Sequence, residues 1–219
     1  GRVLQGTTRS EAIAGSKSKM KKILLVTDGI FHPPLLGRLT FHRMLAQMDS
    51  FSFVHVSSLE KLPADLSSFS ALVLHYHHKM ISDGALRKLD SFVKNGGGIL
   101  AIHAATASFK QSMPYFKMLG GRFIGHGKVE NFEVRKVRDD ICSGIDNFVV
   151  KDELYIHELE SSIEVHFTAK HEGKDVPVVW TYHYGKGSVC YAVPGHTTAT
   201  MSDPTYQQIL RRGLEWVTA

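Results

Sequence analysis

Cysteine is scarce in this chain: Cys142 and Cys190 are the only two among 219 residues. They form no close metal-type pair and no disulfide framework. With no apolar signal-peptide core in the N-terminal stretch, two free thiols favour the cytoplasm. No apolar run reaches the length of a membrane span, which excludes a helical membrane protein. There is no Walker loop, no His-Glu-x-x-His pair and no serine elbow. Gly96-Gly97-Gly98 precedes an apolar strand, whereas a dinucleotide fingerprint must follow one. Trp180 and Trp216 are the only tryptophans and read as core. Acidic residues are outnumbered, with a net charge of +5, but the excess is local. Residues 1–22 hold six basic side chains against Glu11, so residues 23–219 are neutral in sum. Nucleic-acid binding therefore loses its electrostatic support. Residues 1–19 read as a disordered or expression-derived leader, with Met20-Lys21-Lys22 resembling a natural start. Residues 20–219 then form a single domain.

The apolar pattern gives the fold class. Ile23-Leu24-Leu25-Val26, Ala71-Leu72-Val73-Leu74 and Ile99-Leu100-Ala101-Ile102 are continuous apolar runs, as in strands buried on both faces. Phe51–Val56 alternates as a further strand. Helical spacing covers Thr40–Met48, with Phe41, Met44, Leu45 and Met48 on one face. A second helix, capped by Ser82-Asp83, carries Leu86, Leu89, Phe92 and Val93 and stops at Asn95-Gly96. From Phe123 the pattern alternates over Val129–Val137, Ile163–Phe167, Val178–Tyr184 and Ser188–Val193. Gly185-Lys186-Gly187 is the hairpin turn between the last two. Asp203-Pro204 opens a terminal helix with Ile209, Leu210, Leu214 and Val217 inward. The expectation is an α/β protein: a doubly wound, mostly parallel sheet with antiparallel additions in the C-terminal half.

Histidine is abundant, at 13 residues. His75 and His103 follow the third and fourth strands. His196 follows the last through Pro194-Gly195. His126 lies in the expected loop Gly125-His126-Gly127, and Asp28 ends the first strand. In a parallel sheet these strand ends share one edge, where ligands bind. An imidazole at a strand-to-helix turn suits ligand binding, proton transfer or metal coordination. His103, His126 and His196 are the candidate ligands of a divalent metal such as zinc. His103 and Glu153 are the candidate acid–base residues, with Asp28, His75, His126 and His196 placed to bind substrate. Asp152-Glu153-Leu154-Tyr155 reads as a loop. His77 and His78 read as solvated loop residues, and His42, His166 and His171 as surface.

Gly97-Gly98-Ile99-Leu100-Ala101-Ile102-His103-Ala104-Ala105-Thr106 resembles the central motif of the trehalose-utilisation (ThuA-like) family. Leu119-Gly120-Gly121-Arg122-Phe123 with His126, Asp152-Glu153-Leu154-Tyr155 and Pro177-Val178-Val179-Trp180-Thr181 follow in order. Tyr184-Gly185-Lys186-Gly187 and Pro194-Gly195-His196 complete the match over residues 21–218. The resemblance implies a flavodoxin-like sheet similar to class I glutamine amidotransferases, whose elbow normally presents a cysteine. Here His103 stands at the elbow, so the attacking thiolate of a glutaminase is missing. The resemblance further implies breakdown of disaccharides or their keto derivatives, by a hydrolase or lyase with a small sugar-like ligand. A catalytically silent binding or regulatory module is the alternative. No nucleic-acid or membrane partner is expected, and homo-oligomerisation stays open.

Overall fold

The computed structural model describes residues 20–29 and 35–219. The leader 1–19 and the loop around His32-Pro33-Pro34 lie outside the described residues. The strands are β1 Lys21–Thr27, β2 Phe51–Val56, β3 Ala71–His75, β4 Gly98–Ile102, β5 Gly121–Lys136, β6 Phe148–Leu159, β7 Glu164–His171, β8 Lys174–Tyr184 and β9 Gly187–Ala192. The helices are α1 Leu35–Ala46, α2 Asp83–Lys94, α3 Met113–Leu119, α4 Thr198–Ser202 and α5 Pro204–Val217.

Among the described residues, nine strands join one mixed sheet in the order β2-β1-β3-β4-β9-β8-β7-β5-β6. Pairings from β2 through β9 are parallel, and those from β9 outward are antiparallel. The three apolar runs become β1, β3 and β4. Every residue of β3 and β4 is buried, as a strand covered on both faces requires. Helices α1, α4 and α5 pack on one another, and α2 contacts α3. Among the described residues, no helix is long and apolar enough to cross a membrane.

Local chemistry explains the boundaries. Ser82 caps α2 by accepting the Ala85 N–H, and Asn95 closes it. Gly96, at φ +112°, then takes the left-handed turn that frees the chain to enter β4. Asp203 caps α5 with Pro204 in its first turn, and Ile209, Leu210, Leu214 and Val217 are all buried. Helix α1 begins five residues before the expected Thr40, yet buries the expected Phe41, Met44 and Leu45.

Four expectations are corrected. The segment around Asp152-Glu153 is no loop but the middle of β6, where Asp152 through Tyr155 are all buried. His126 lies not in a loop but on β5, between two register shifts that each add one residue to that strand. Such bulges turn side chains out of strict alternation, which is why flanking glycines there mimic a loop. His166 is not on the surface. It is buried on β7, with Nδ1 2.8 Å from Asp140 Oδ1 and Nε2 2.7 Å from Thr181 Oγ1. His42 is half-buried, with Nε2 3.2 Å from Thr27 Oγ1.

Candidate functional site

Strands β1, β3, β4 and β9 run parallel, so their carboxyl ends deliver Asp28, His75, His103 and His196 to one edge of the sheet. The ribbon of β5 and β6 supplies the other wall. Glu153, Tyr155 and His157 stand at alternate positions of β6, and β5 pairs His126 with Tyr155.

His103 opens a single 3-10 turn, His103–Ala105, directly after β4. Its backbone sits at φ +47°, a conformation that costs a non-glycine residue about 1–3 kcal/mol. Gly195 makes the turn fit: a β-carbon there would lie 2.8 Å from the His103 Cβ. The His103 Nδ1 donates to the Val193 carbonyl at 2.7 Å. That bond leaves the Nε2 of a neutral ring with its lone pair facing Glu153 Oε2 at 3.6 Å, two acceptor atoms whose facing suits a cation between them and not a hydrogen bond.

Glu153 is the hub. His196 Nδ1 lies 3.2 Å from Oε2, and His126 Nδ1 lies 3.6 Å from Oε1. Tyr155 covers the His103 ring at 4.1 Å between centroids. Burial pushes the Glu153 carboxyl up, but the approach of His103 and the fields of His196, His103 and His126 outweigh it. The net shift is downward, so Glu153 is ionised at neutral pH. Beneath it, the fully buried Asp152 accepts the backbone N–H groups of Glu153, Gly195, His196 and Thr197 at 2.9–3.2 Å. One carboxylate thus ties β6 to the loop after β9.

A cavity of about 220 Å³ opens beside this cluster, lined by His77, Ala104, Lys110, Phe123, His126, Glu153 and Tyr155 among others. A larger hollow of about 810 Å³ lies at the opposite edge, where Gly96 and Gly97 lead into β4. It contains no histidine and no cluster of acid–base groups, so the smaller cavity is the candidate site.

The sequence-derived candidates divide in two. His103, His126, His196 and Glu153 come together. His75 is fully buried, and Asp28 faces Arg38 at 3.9 Å and His78 at 3.6 Å instead of Glu153. The compact donor set also differs from the expected three histidines. Ligand atoms of His103, Glu153 and His196 lie within 4.8 Å of one another, while His126 is outside that group. The Nε2 of His103 is buried with no hydrogen-bond partner. Two imidazoles and a carboxylate suit zinc. The Nδ1 bond to Val193 is the kind of outer contact that orients a ligating histidine.

A family model for trehalose utilisation, ThuA, matches residues 22–217. The chain belongs to the ThuA family. A ThuA-like protein from Parabacteroides merdae superposes with a TM-score of 0.79 at 19% identity, covering 92% of this chain and 90% of that one. A ThuA-like protein from Bacteroides uniformis gives 0.76 at 18% identity, covering 93% of each chain. A β-galactosidase from Rahnella sp. R3 matches 90% of this chain with 31% of its own length, at 14% identity and a TM-score of 0.64. At these identities the likeness establishes the fold. No curated protein matches the chain by sequence.

Two residues of this ThuA chain escape the sequence pattern. Asp152 was masked by its neighbour, since two adjacent acids suggest solvent. The signal was its place in an apolar stretch, with Val149-Val150 before it and Leu154-Tyr155 after. His157 was detectable only by counting every second residue from Glu153. Its ring packs against Trp180 and Tyr191, and burial, helped by the field of His103, lowers its pKa to about 3.

Proposed function

We propose that this ThuA-family protein is an enzyme of carbohydrate breakdown, a hydrolase or lyase acting on a disaccharide or its keto derivative. The observation that carries the reading is the Glu153 carboxylate with His103, His126 and His196 all within 3.6 Å, beside a cavity. On a keto sugar, Glu153 takes the proton from the carbon next to the ketone. The electron pair expels the glycosidic oxygen, which takes its proton from the exposed His126 in its charged form. His103 and His196 hold the base and bind the substrate's hydroxyl groups. A divalent cation held by His103, Glu153 and His196 would supply a Lewis acid to polarise the substrate carbonyl.

The order β2-β1-β3-β4-β9 of the parallel strands supports a flavodoxin-like winding of the class I amidotransferase type. Neither thiol serves as a glutaminase nucleophile on this reading: both are buried, and burial raises their pKa values, that of Cys142 to about 12. Those thiols, and two structural neighbours from Salmonella typhimurium described as cytoplasmic proteins, support a cytoplasmic location.

The test is a screen of disaccharides and keto-disaccharides alongside metal analysis of the purified protein. Glu153→Gln is expected to lower turnover by about 10²–10⁴-fold with the fold retained. His103→Ala should likewise disturb binding or turnover more than melting temperature. A wild-type protein that binds no sugar derivative and turns none over would make it a silent module instead.

A further inference from the structure

His103 keeps a left-handed backbone although it carries a side chain, so something must hold it there. Three donors converge on its carbonyl oxygen. Tyr191 Oη donates to it at 2.8 Å, Thr106 Oγ1 at 3.2 Å and the Thr106 N–H at 3.3 Å. Thr106 Oγ1 is also 2.9 Å from His157 Nε2 and 2.8 Å from Tyr191 Oη. A hydroxyl has one proton to give. When the His157 Nε2–H donates to Thr106 Oγ1, the threonine proton goes to Tyr191 Oη at 2.8 Å, whose own proton serves the His103 carbonyl, or directly to that carbonyl at 3.2 Å. Thr106 and Tyr191 are fully buried, and none of the three residues lines the cavity beside Glu153. Their polar atoms engage one another and the His103 carbonyl.

We infer that Thr106, Tyr191 and His157 are positioning residues. They pin the His103 carbonyl, hold the left-handed turn, and so keep the imidazole with Nδ1–H on Val193 and bare Nε2 turned to Glu153. The pin holds the carbonyl, and the missing side chain of Gly195 leaves room for the His103 Cβ. If the carbonyl is released, φ relaxes toward the ordinary negative region. The Cα–Cβ bond then swings, and the 2.7 Å bond to the Val193 carbonyl is lost. Without it the ring can carry its proton on either nitrogen, and Nε2 no longer points reliably as an acceptor. The inference rests on the proposed pairing of His103 with Glu153 and adds three residues that act through the His103 carbonyl.

The test uses the full chain and three variants. Thr106→Val and Tyr191→Phe each delete one hydroxyl at nearly constant shape, while Thr106→Ser keeps it. Two readouts are taken on protein verified as folded: the ¹⁵N shifts of the His103 ring, which report the nitrogen carrying the proton, and zinc affinity by calorimetry. Wild type should show the Nδ1–H form. Thr106→Val and Tyr191→Phe should mix in the Nε2–H form and weaken zinc binding about 10–100-fold. Thr106→Ser should match wild type in both. Folded Thr106→Val with unchanged ring shifts would overturn the inference. Should Thr106→Val not fold, Tyr191→Phe carries the same comparison. If wild type binds no zinc, the cation reading fails, and the ring shifts alone decide the positioning role.

Discussion

Asp152→Ala is expected to destabilise the protein by about 3–5 kcal/mol, read as the loss of unfolding free energy in urea. The side chain is fully buried and accepts from four backbone N–H groups and from the Thr197 hydroxyl at 3.4 Å. Alanine would leave several of these donors dry and unpaired, each at about 1–3 kcal/mol before relaxation. The melting temperature should fall by about 10 °C for a domain of this size. Asp152→Asn should recover roughly half. Its remaining oxygen can still accept the Glu153, Gly195 and His196 N–H groups, while its amide nitrogen must face the Thr197 N–H. The site should suffer with the fold, because Gly195 and His196 hang from the same carboxylate that anchors Glu153. A loss below about 1 kcal/mol would show that the loop after β9 is held by other contacts.

The parallel half of the sheet was legible because its signal is local. Ile23–Val26, Ala71–Leu74 and Ile99–Ile102 are apolar without interruption, and only burial on both faces rewards such runs. Capping at Ser82 and Asp203 was equally plain, since the cap is written within four residues. His103 and His196 could be placed together because they follow strands assigned to one sheet edge. The antiparallel ribbon was harder. Its strands β5 and β6 are long, twice shifted in register and charged where they are buried, so period-two counting breaks at Gly125 and again after His126. Glu153, His103, His126 and His196 were named together from residue type, motif and strand ends, but not which of them form the compact set. Which imidazoles meet Glu153 depends on how far those bulges advance β5, a tertiary quantity. Asp28 and His75 fail to join for the same reason. A strand end fixes the edge of the sheet, and side-chain direction then decides between cavity and interior.

Between pH 7 and pH 5 the protein should lose about 5 kcal/mol of stability, well before its carboxylates titrate in the unfolded chain. The source is three histidines kept neutral by the fold, His75, His157 and His42. His75 is lowered from 6.5 to about 3, chiefly by burial, with the positive fields of His103, His42 and Arg38 adding and the Gly195 backbone opposing. His157 is lowered from 6.5 to about 3 by burial and then by His103. In the unfolded chain both take up a proton below pH 6.5, and in the native state neither does until about pH 3. The unfolded state therefore binds more protons across that window, and stability rises with pH through it. The contribution is complete above pH 6.5 and is lost progressively as pH falls toward 3. Each residue adds a slope approaching about 1.4 kcal/mol per pH unit. His42, lowered to about 4, acts with the same sign. Urea unfolding at pH 7, 6 and 5 measures the slope, and His75→Leu should cut it by about a third. A slope indistinguishable from zero between pH 6 and pH 5 would mean that these rings protonate in the folded protein. The buried end of the site would then have to be open to water.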